Sequence, residues 1–289
     1  MPKSGQAWDP TFLLGHPLFE VFEPLARDLR GTTFPSAEQF TQLAESQRTA
    51  RAPEAASLRF SHLERKPRRH KRTQLILHEL YDGSIHLKRQ VPCLSCSYHD
   101  LFNALSFSAF VHSKRVLHER QFRALEQWVG DLPQLPGKRT REQDALTIFD
   151  EGGVVLLMAE PFLSHWRAST EASPIPPFAP GSGVVPLLFG HALLEHLFEG
   201  HSQVRASAVV IELDAPLPCG ATILDLADCY LAARLSDPSE FTQPGADGIF
   251  FMDQTEFSIG PPKPSWSAWH PGDREAFQSR YAQLDHRQV

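Results

Sequence analysis

The sequence lacks the motifs that would assign a function at sight. It has no GxxxxGK[ST] phosphate loop, no HExxH zinc motif, no GxSxG nucleophile motif and no GxGxxG dinucleotide motif. It also lacks an apolar run near the roughly 20 residues that span a bilayer, and its first residues show no apolar signal-peptide segment. We therefore expect a cytoplasmic protein that has no membrane partner.

Cysteine is scarce, and the four present are too few for a disulfide framework. They are Cys93, Cys96, Cys219 and Cys229. Cys93 and Cys96, followed by His112 and His118, approach the spacing of a zinc finger. Two histidines six residues apart lie about 240° apart around a helix, so a regular helix would not aim both at one ion. The spacing favours loop cysteines over structural zinc.

Charge of one sign does not dominate the chain. Its 289 residues carry a formal net charge of -6, and 42% hydrophobic residues are enough for a globular core. Six of the eight residues from Arg65 to Arg72 are Lys or Arg. A basic run broken by proline is typical of a solvated loop, and contact with a nucleic acid is the alternative. Nucleic acid is therefore a possible but not a favoured partner.

Strand and helix signals come in mixed order, without the regular alternation of a doubly wound sheet. Apolar runs at 74–80 and 84–91 flank Asp82-Gly83, and runs at 144–149 and 154–158 flank Gly152-Gly153. Both patterns predict antiparallel hairpins. Helices are predicted over 99–129, 187–199 and 221–235, and a strand over 204–213. The fold class predicted is α+β, with helices and antiparallel hairpins in one compact domain.

We expect residues 1–289 to form a single domain. Its regions are a helical N-terminal region at 1–50, a basic loop at 51–73, a Pro-rich loop at 168–183 and a C-terminal tail at 258–289.

The richest chemistry lies at the start of the helix predicted from residue 99. His99, Asp100 and Asn103 open an apolar helix, and Lys114 follows on the same stripe as Asp100 and Asn103. His99 could act as a base or a metal ligand, with Asp100 and Asn103 orienting it or a substrate. The alternative is that these polar groups only cap the helix.

Two further segments hold candidate ligands. Asp144 and Asp150, six apart, would share a face of the predicted strand, and Asp150-Glu151 could bind a cation or serve as ordinary turn residues. His191 and Glu195 are four apart, which places them on one helix face. That pair suits two metal ligands, or an intrahelical hydrogen bond with no further role.

Four segments in order resemble a bacterial family of unknown function, number 3025 in the domain-of-unknown-function series. Residues 98–105 with Phe110 and Lys114 resemble its WHDxFNAL…FPxxK motif, and residues 144–151 resemble DALTLFDE. Residues 189–195 resemble FGHALxE, and residues 251–257 resemble FYDDTxYF. The chain departs from the family pattern at Tyr98 (usually Trp), Val111 (Pro), His118 (Asn) and Gln143 (Arg), and at the Cys93–Cys96 pair.

The resemblance implies no reaction, but it shows which polar residues belong to the motifs. They are His99, Asp100, Asn103, Lys114, Asp144, Asp150, Glu151, His191 and Glu195. We expect the elements that carry them to meet around a polar pocket.

The leading functional prediction is a metal-assisted hydrolase, with small molecules and phosphate-containing substrates such as phosphodiesters as candidates. The predicted catalytic residues are His99, Asp100, Asn103 and Lys114, and the predicted ligands of a divalent metal are His99, Asp150, Glu151, His191 and Glu195. Asn103 would orient the substrate and Lys114 would contact its anion. The alternative is a non-enzymatic binding or scaffold protein whose motif residues form a structural polar network.

Overall fold

The computed structural model describes residues 7–14, 16–62, 76–93, 97–130, 132–169, 183–201, 203–214, 217, 222–243, 248–253 and 256–259. Its α-helices are α1 (Glu23–Ala26), α2 (Ala37–Arg51), α3 (Tyr81–Lys88), α4 (Tyr98–Ala109), α5 (Val111–Val129), α6 (Arg141–Gly152), α7 (Phe162–Ala168), α8 (His191–Phe198) and α9 (Thr222–Ser236). Its strands are β1 (Arg59–His62), β2 (Gln90–Cys93), β3 (Gly153–Ala159), β4 (Val184–Leu188), β5 (Gln203–Leu213), β6 (Gly248–Asp253) and β7 (Glu256–Ile259).

A five-stranded mixed sheet in the order β4-β3-β5-β6-β7 forms one layer of the fold. β3 pairs antiparallel with β4 and parallel with β5, in a register that sets Val155 opposite Val209. Every residue of β3 is buried, as expected of an apolar strand covered on both faces. The predicted α+β class is confirmed.

Helix α4 runs through the centre of the core. Of its twelve residues, His99 alone is not buried. Aromatic side chains from the N-terminal part of the chain cover α4. The ring centroids of Phe12 and Phe19 lie 6.1 and 6.2 Å from that of Phe102. Any polar group on α4 is therefore held in a fixed, largely dry environment, except at His99.

The prediction of a hairpin over 74–91 is wrong. Its described part forms a 3-10 helix at Leu77–Glu79, helix α3 and strand β2, which pairs parallel with β1. A side chain at Gly83 would place its Cβ 2.1 Å from the backbone oxygen of Leu77. Gly83 thus allows two helical segments to approach closely, instead of making the left-handed turn that Asp-Gly suggested.

The hairpin predicted over 144–159 is also wrong, because its first half is helix α6. Thr140 caps this helix, because its side-chain hydroxyl accepts a hydrogen bond from the Gln143 backbone nitrogen, and the Thr140 backbone nitrogen donates to Gln143 Oε1. This capping box starts a helix that ends at Gly152, directly before β3. Asp144 and Asp150 therefore lie on a helix and do not share a strand face.

The boundary between α4 and α5 lies at Phe110, and helix α9 supplies the cap that α5 needs. The Asp228 carboxylate accepts hydrogen bonds from the backbone nitrogens of His112 and Ser113, at 2.9 and 2.8 Å. Backbone N–H groups at the start of a helix have no partner within the helix. Two of those in α5 are thus satisfied by a residue more than 100 positions later in the chain.

Strand β1 lies inside the region 51–73, and strand β7 extends past residue 258, where the C-terminal tail is predicted to begin. The basic run Arg65–Arg72, Cys96, Cys219 and residues 170–182 lie outside the described residues. None of the described helices combines the length and apolar character needed to cross a membrane.

Candidate functional site

The exposed end of the site is a pair formed between α4 and α8. His99 Nδ1 lies 3.1 Å from Glu195 Oε2, and the two side chains are 28% and 22% exposed. His99 belongs to the first turn of α4 and Glu195 to the second turn of α8. The carboxylate of Glu195 therefore fixes one nitrogen of the imidazole that opens the central helix.

A second histidine–carboxyl pair lies against the first. His191 begins α8, and its Nε2 is 3.3 Å from Glu151 Oε2 at the end of α6, without the alignment of a hydrogen bond. The rings of His191 and His99 meet edge to face with centroids 4.6 Å apart. We call the four side chains Glu195, His99, His191 and Glu151 the acid–base cluster.

Gly190 makes this arrangement sterically possible. A Cβ at Gly190 would lie 2.3 Å from the backbone oxygen of Glu151, and the Gly190 nitrogen donates to Gly153 O at 2.9 Å. The start of α8 can therefore press against the end of α6, which brings His191 to Glu151. The sequence Phe189-Gly190-His191 therefore needs glycine at its middle position for steric reasons.

A chain of buried charges supports the cluster from beneath. Lys114 Nζ donates to Asp150 Oδ1 at 2.7 Å, with the two side chains 0% and 8% exposed. His118 Nε2 is 3.9 Å from the same carboxylate oxygen, and its Nδ1 is 2.9 Å from Asp82 Oδ1. We call Lys114, Asp150, His118 and Asp82 the buried charge chain.

Asn103 joins this region through α3. Its Nδ2 donates to the Tyr81 hydroxyl at 2.9 Å, and the Tyr81 ring packs edge to face on His118, 5.7 Å between centroids. Burial, followed by the charge of Asp150, raises the pKa of Tyr81 well above its usual value. Tyr81 is therefore a neutral hydrogen-bonding group here.

The environments of the acid–base cluster separate the pKa values of its members. Burial lowers the pKa of His99, but the hydrogen bond to Glu195 and the nearby carboxylates outweigh burial and raise it to about 9. Burial raises the pKa of Glu151 to about 7, although the His99 charge opposes that rise. Burial and the His99 charge hold the pKa of His191 well below its usual value. At neutral pH, His99 is cationic, His191 is neutral and Glu151 is near its midpoint.

Asp150 stays ionised beside these groups. Burial alone would raise its pKa, but the positive charge of Lys114, which also donates a hydrogen bond to Asp150, holds that pKa well below its usual range. The fixed negative charge of Asp150 in turn contributes to the raised pKa of Glu151.

Several buried polar atoms here have no hydrogen-bond partner among the described residues. They are Asn103 Oδ1, His118 Nε2, Glu151 Oε2 and His191 Nδ1. Buried polar atoms are nearly always satisfied by protein, water or ligand. Ordered water or a polar ligand would satisfy these atoms.

The sequence comparison shows the family. The model of the family described as protein of unknown function (DUF3025) matches residues 70–246, which is more than half of the chain. The chain belongs to the DUF3025 family. The predicted membership of family 3025 is therefore confirmed, and all of the predicted site residues lie in the matched segment of this DUF3025 protein. No curated protein and no solved structure matches the chain.

The structure brings together five predicted residues but pairs them differently. His99, Asp150, Glu151, His191 and Glu195 lie in one region, where Glu195 meets His99 of another helix and His191 faces Glu151. Both contacts join different helices.

Other predicted site residues have partners within the protein. Lys114 Nζ is fully buried and bound to Asp150, so its contact with a substrate anion stays a prediction. Asp100 lies at the start of α4, where Ser97 Oγ accepts from its backbone nitrogen and donates to its carboxylate. These contacts are those of helix capping. Asp144 is on α6, six residues before Asp150.

The roles of Tyr81, Asp82 and His118 are not predicted from the sequence. The sequence offers His118 as a zinc ligand, but in the structure His118 is bonded to Asp82 and stacked on Phe107, 5.2 Å between centroids. One signal was available, because His118 is four residues after Lys114 and so shares its helix face. Asp82 gave no such signal, since it had been placed in a turn.

Within the described parts of the chain, no three His, Cys, Asp or Glu side chains are placed to hold one metal ion together. Glu195 is engaged by His99, and Asp150 by Lys114. The predicted metal set therefore gains no support from the geometry and stays a prediction.

Proposed function

We propose that this DUF3025 protein is an acid–base enzyme, most simply a hydrolase, with Glu151 as its general base and His99 as its cationic partner. The observation that carries the proposal is the acid–base cluster itself: two histidines in contact, each facing a carboxyl group, where the buried central helix reaches solvent. Titratable groups whose environments push their pKa values apart are typical of acid–base pairs in enzymes.

Each member of the cluster has a role in this proposal. Glu151 accepts a proton from water or substrate, because its pKa of about 7 makes it an effective base near neutral pH. His99, kept cationic by Glu195, donates a hydrogen bond or proton to the oxygen that gains negative charge. His191 separates the two and stays neutral, while Asp150 acts through Glu151 as a positioning residue.

The substrate we propose is a small uncharged carbonyl compound, such as an ester or amide. The one lysine of the region is buried in an ion pair, and the partly exposed members include two carboxyl groups. These charges disfavour a phosphodiester or a nucleic acid. We propose further that the reaction takes place in the cytoplasm and needs no divalent metal, since Glu195 is engaged by His99 and Asp150 by Lys114.

A second candidate is the non-enzymatic one, in which both sets of charges only fix the fold. The full burial of the Lys114–Asp150 pair favours it, because buried networks can specify a unique core. In that case, replacing members of the acid–base cluster should destabilise the protein.

The test measures hydrolysis of p-nitrophenyl acetate and bis(p-nitrophenyl) phosphate in EDTA and in Mn²⁺. The variants are Glu151→Gln, Glu195→Gln and, as a matched control, Glu119→Gln, whose side chain lies on the exposed surface of α5 and pairs with Arg123. We expect ester hydrolysis in EDTA that falls by about 10²-fold or more in Glu151→Gln and is unchanged in the control.

Three outcomes would argue against the proposal. Hydrolysis that needs Mn²⁺ would restore the metal-assisted prediction. A Glu151→Gln rate equal to wild type would remove Glu151 as the base. Absence of turnover, together with a lower melting temperature of Glu151→Gln at pH 8, would favour the structural network.

A further inference from the structure

A cavity of about 220 Å³ lies between α3, α5, α6 and the segment 132–140. Leu80, Leu125, Trp128 and Leu135 form the apolar part of its lining. The Trp128 Nε1 donates a hydrogen bond to Lys138 O at 3.1 Å. An apolar surface that includes an indole anchored by a hydrogen bond suits a flat ring.

The polar lining of this cavity includes two hydrogen-bond acceptors. Gln121 is 7% exposed, its Nε2 donates to Thr147 Oγ1 at 3.3 Å, and its buried Oε1 has no hydrogen-bond partner among the described residues. Asp82 also lines the cavity, and its carboxylate is partly exposed. A ligand that satisfies both groups must donate hydrogen bonds, and the carboxylate favours a cation.

We propose that the cavity binds a small aromatic cation, such as an arylamidine or arylammonium group. The N–H groups of the ligand point to Asp82 and Gln121 Oε1, and its ring packs on Trp128, where the indole face also attracts positive charge. The volume lies below the roughly 300–1,000 Å³ of drug-sized ligand sites, which limits the ligand to about one substituted ring.

The charges at the rim set the orientation of the ligand. Lys138 and Arg139 also line the cavity, and both are exposed. They repel a cation at the mouth, weakly because water and salt screen them. The positive end of the ligand therefore lies inward, and its outer end is neutral or anionic.

The proposal is independent of the function proposed for the acid–base cluster. The cavity shares no residue with that cluster, and it meets the buried charge chain only at Asp82, which pairs with His118. Binding at the cavity can therefore be measured without a substrate for the cluster.

The test is calorimetric titration of the full chain with benzamidine, and with neutral benzamide as the matched ligand. We expect saturable binding of benzamidine that is at least tenfold weaker for benzamide and for the Asp82→Asn variant. Gln121→Leu and Trp128→Ala should each weaken benzamidine binding severalfold, and Glu119→Gln, which removes a charge from α5 outside the cavity, should leave it unchanged.

Absence of saturable binding to the wild-type chain would overturn the proposal, as would benzoate binding as tightly as benzamidine. Unchanged affinity in Asp82→Asn would do the same. Because Asp82 also holds His118, a fall in melting temperature could accompany that variant. Gln121→Leu and Trp128→Ala, which keep the Asp82 carboxylate that pairs with His118, then decide: full affinity in both contradicts binding at this cavity.

Discussion

At the scale of single residues, Glu151 links the site to pH-dependent stability. Its pKa is about 7 in the fold against an ordinary 4.5, so between these values the folded state keeps a proton that the unfolded state has released. The stability that Glu151 contributes is therefore complete below pH 4.5 and is lost as pH rises through 7.

Glu151→Gln should remove this loss. We expect the variant to unfold with a higher free energy than wild type at pH 8, by up to about 3 kcal/mol from the difference between the two pKa values, and with little gain at pH 4.5. Urea denaturation at both pH values measures the difference. Glu119→Gln is the control, and a Glu151→Gln variant less stable than wild type at pH 8 would contradict the account.

Lys114 and Asp150 form a buried ion pair whose partners depend on each other. Lys114→Met leaves the Asp150 carboxylate buried without its main partner and should cost about 3–5 kcal/mol in the free energy of unfolding. Replacing both, in Lys114→Met with Asp150→Leu, should cost less than the sum of the two single changes. The exposed pair of Arg123 and Glu119 is the control, where Arg123→Ala should cost at most about 1 kcal/mol. Additive losses at the buried pair would show that the two side chains are not coupled.

The residue types of the site were predictable, and their partners were not. His99, Glu151 and His191 stood out because titratable groups interrupt apolar segments. Helical spacing, however, reveals only contacts along one helix. The contacts that define the acid–base cluster join α4, α6 and α8, and they depend on how the close approach at Gly190 sets these helices together.

At the scale of elements, α5 depends on a cap from α9. Asp228 is fully buried and binds two backbone nitrogens of α5, so Asp228→Ala should cost about 1–3 kcal/mol in the free energy of unfolding. Asp225→Ala on the same helix is the matched control, because that carboxylate is 49% exposed and pairs with Arg51. Denaturant melts compare the two, and equal losses would mean that the cap has no special weight.

Gly190 tests the contact between α6 and α8. Its φ and ψ of -72° and 121° suit any residue, so the cost of Gly190→Ala is steric alone. A Cβ placed 2.3 Å from Glu151 O must displace one helix end, and we expect a loss of roughly 1–3 kcal/mol in the free energy of unfolding. Gly137→Ala, which adds a Cβ with nothing within 4 Å, should be nearly neutral. A Gly190→Ala variant as stable as the control would mean that the two helices do not depend on this approach.

Both hairpin predictions were wrong because of the roles that glycine has in these elements. Asp82-Gly83 and Gly152-Gly153 were interpreted as turns from their glycines, but one glycine serves close packing and the other pair joins a helix to a strand. The Thr140-x-x-Gln143 capping box was present in the sequence and outweighs the apolar run after it. If the capping box is considered before the apolar pattern, the sequence predicts helix α6.

At the scale of the whole molecule, the α+β class followed from the mixed order of strand and helix signals, and the apolar strands β3 and β5 were recognisable as buried runs. The sheet order was not predictable, since β4 and β5 join β3 through contacts distant in the chain. The segment before the family match also completes the core, because Phe12 and Phe19 cover Phe102 of α4. Local patterns give no information about such packing.

The central claim is that Glu151 and His99 form an acid–base pair poised around neutral pH. It is tested most directly by NMR titration of the labelled Glu151 carboxyl and His99 ring in the folded protein, assigned with the Glu151→Gln and His99→Gln variants. The account predicts a midpoint near pH 7 for Glu151 and near pH 9 for His99. Midpoints at the ordinary values, near 4.5 for Glu151 and 6.5 for His99, would contradict it.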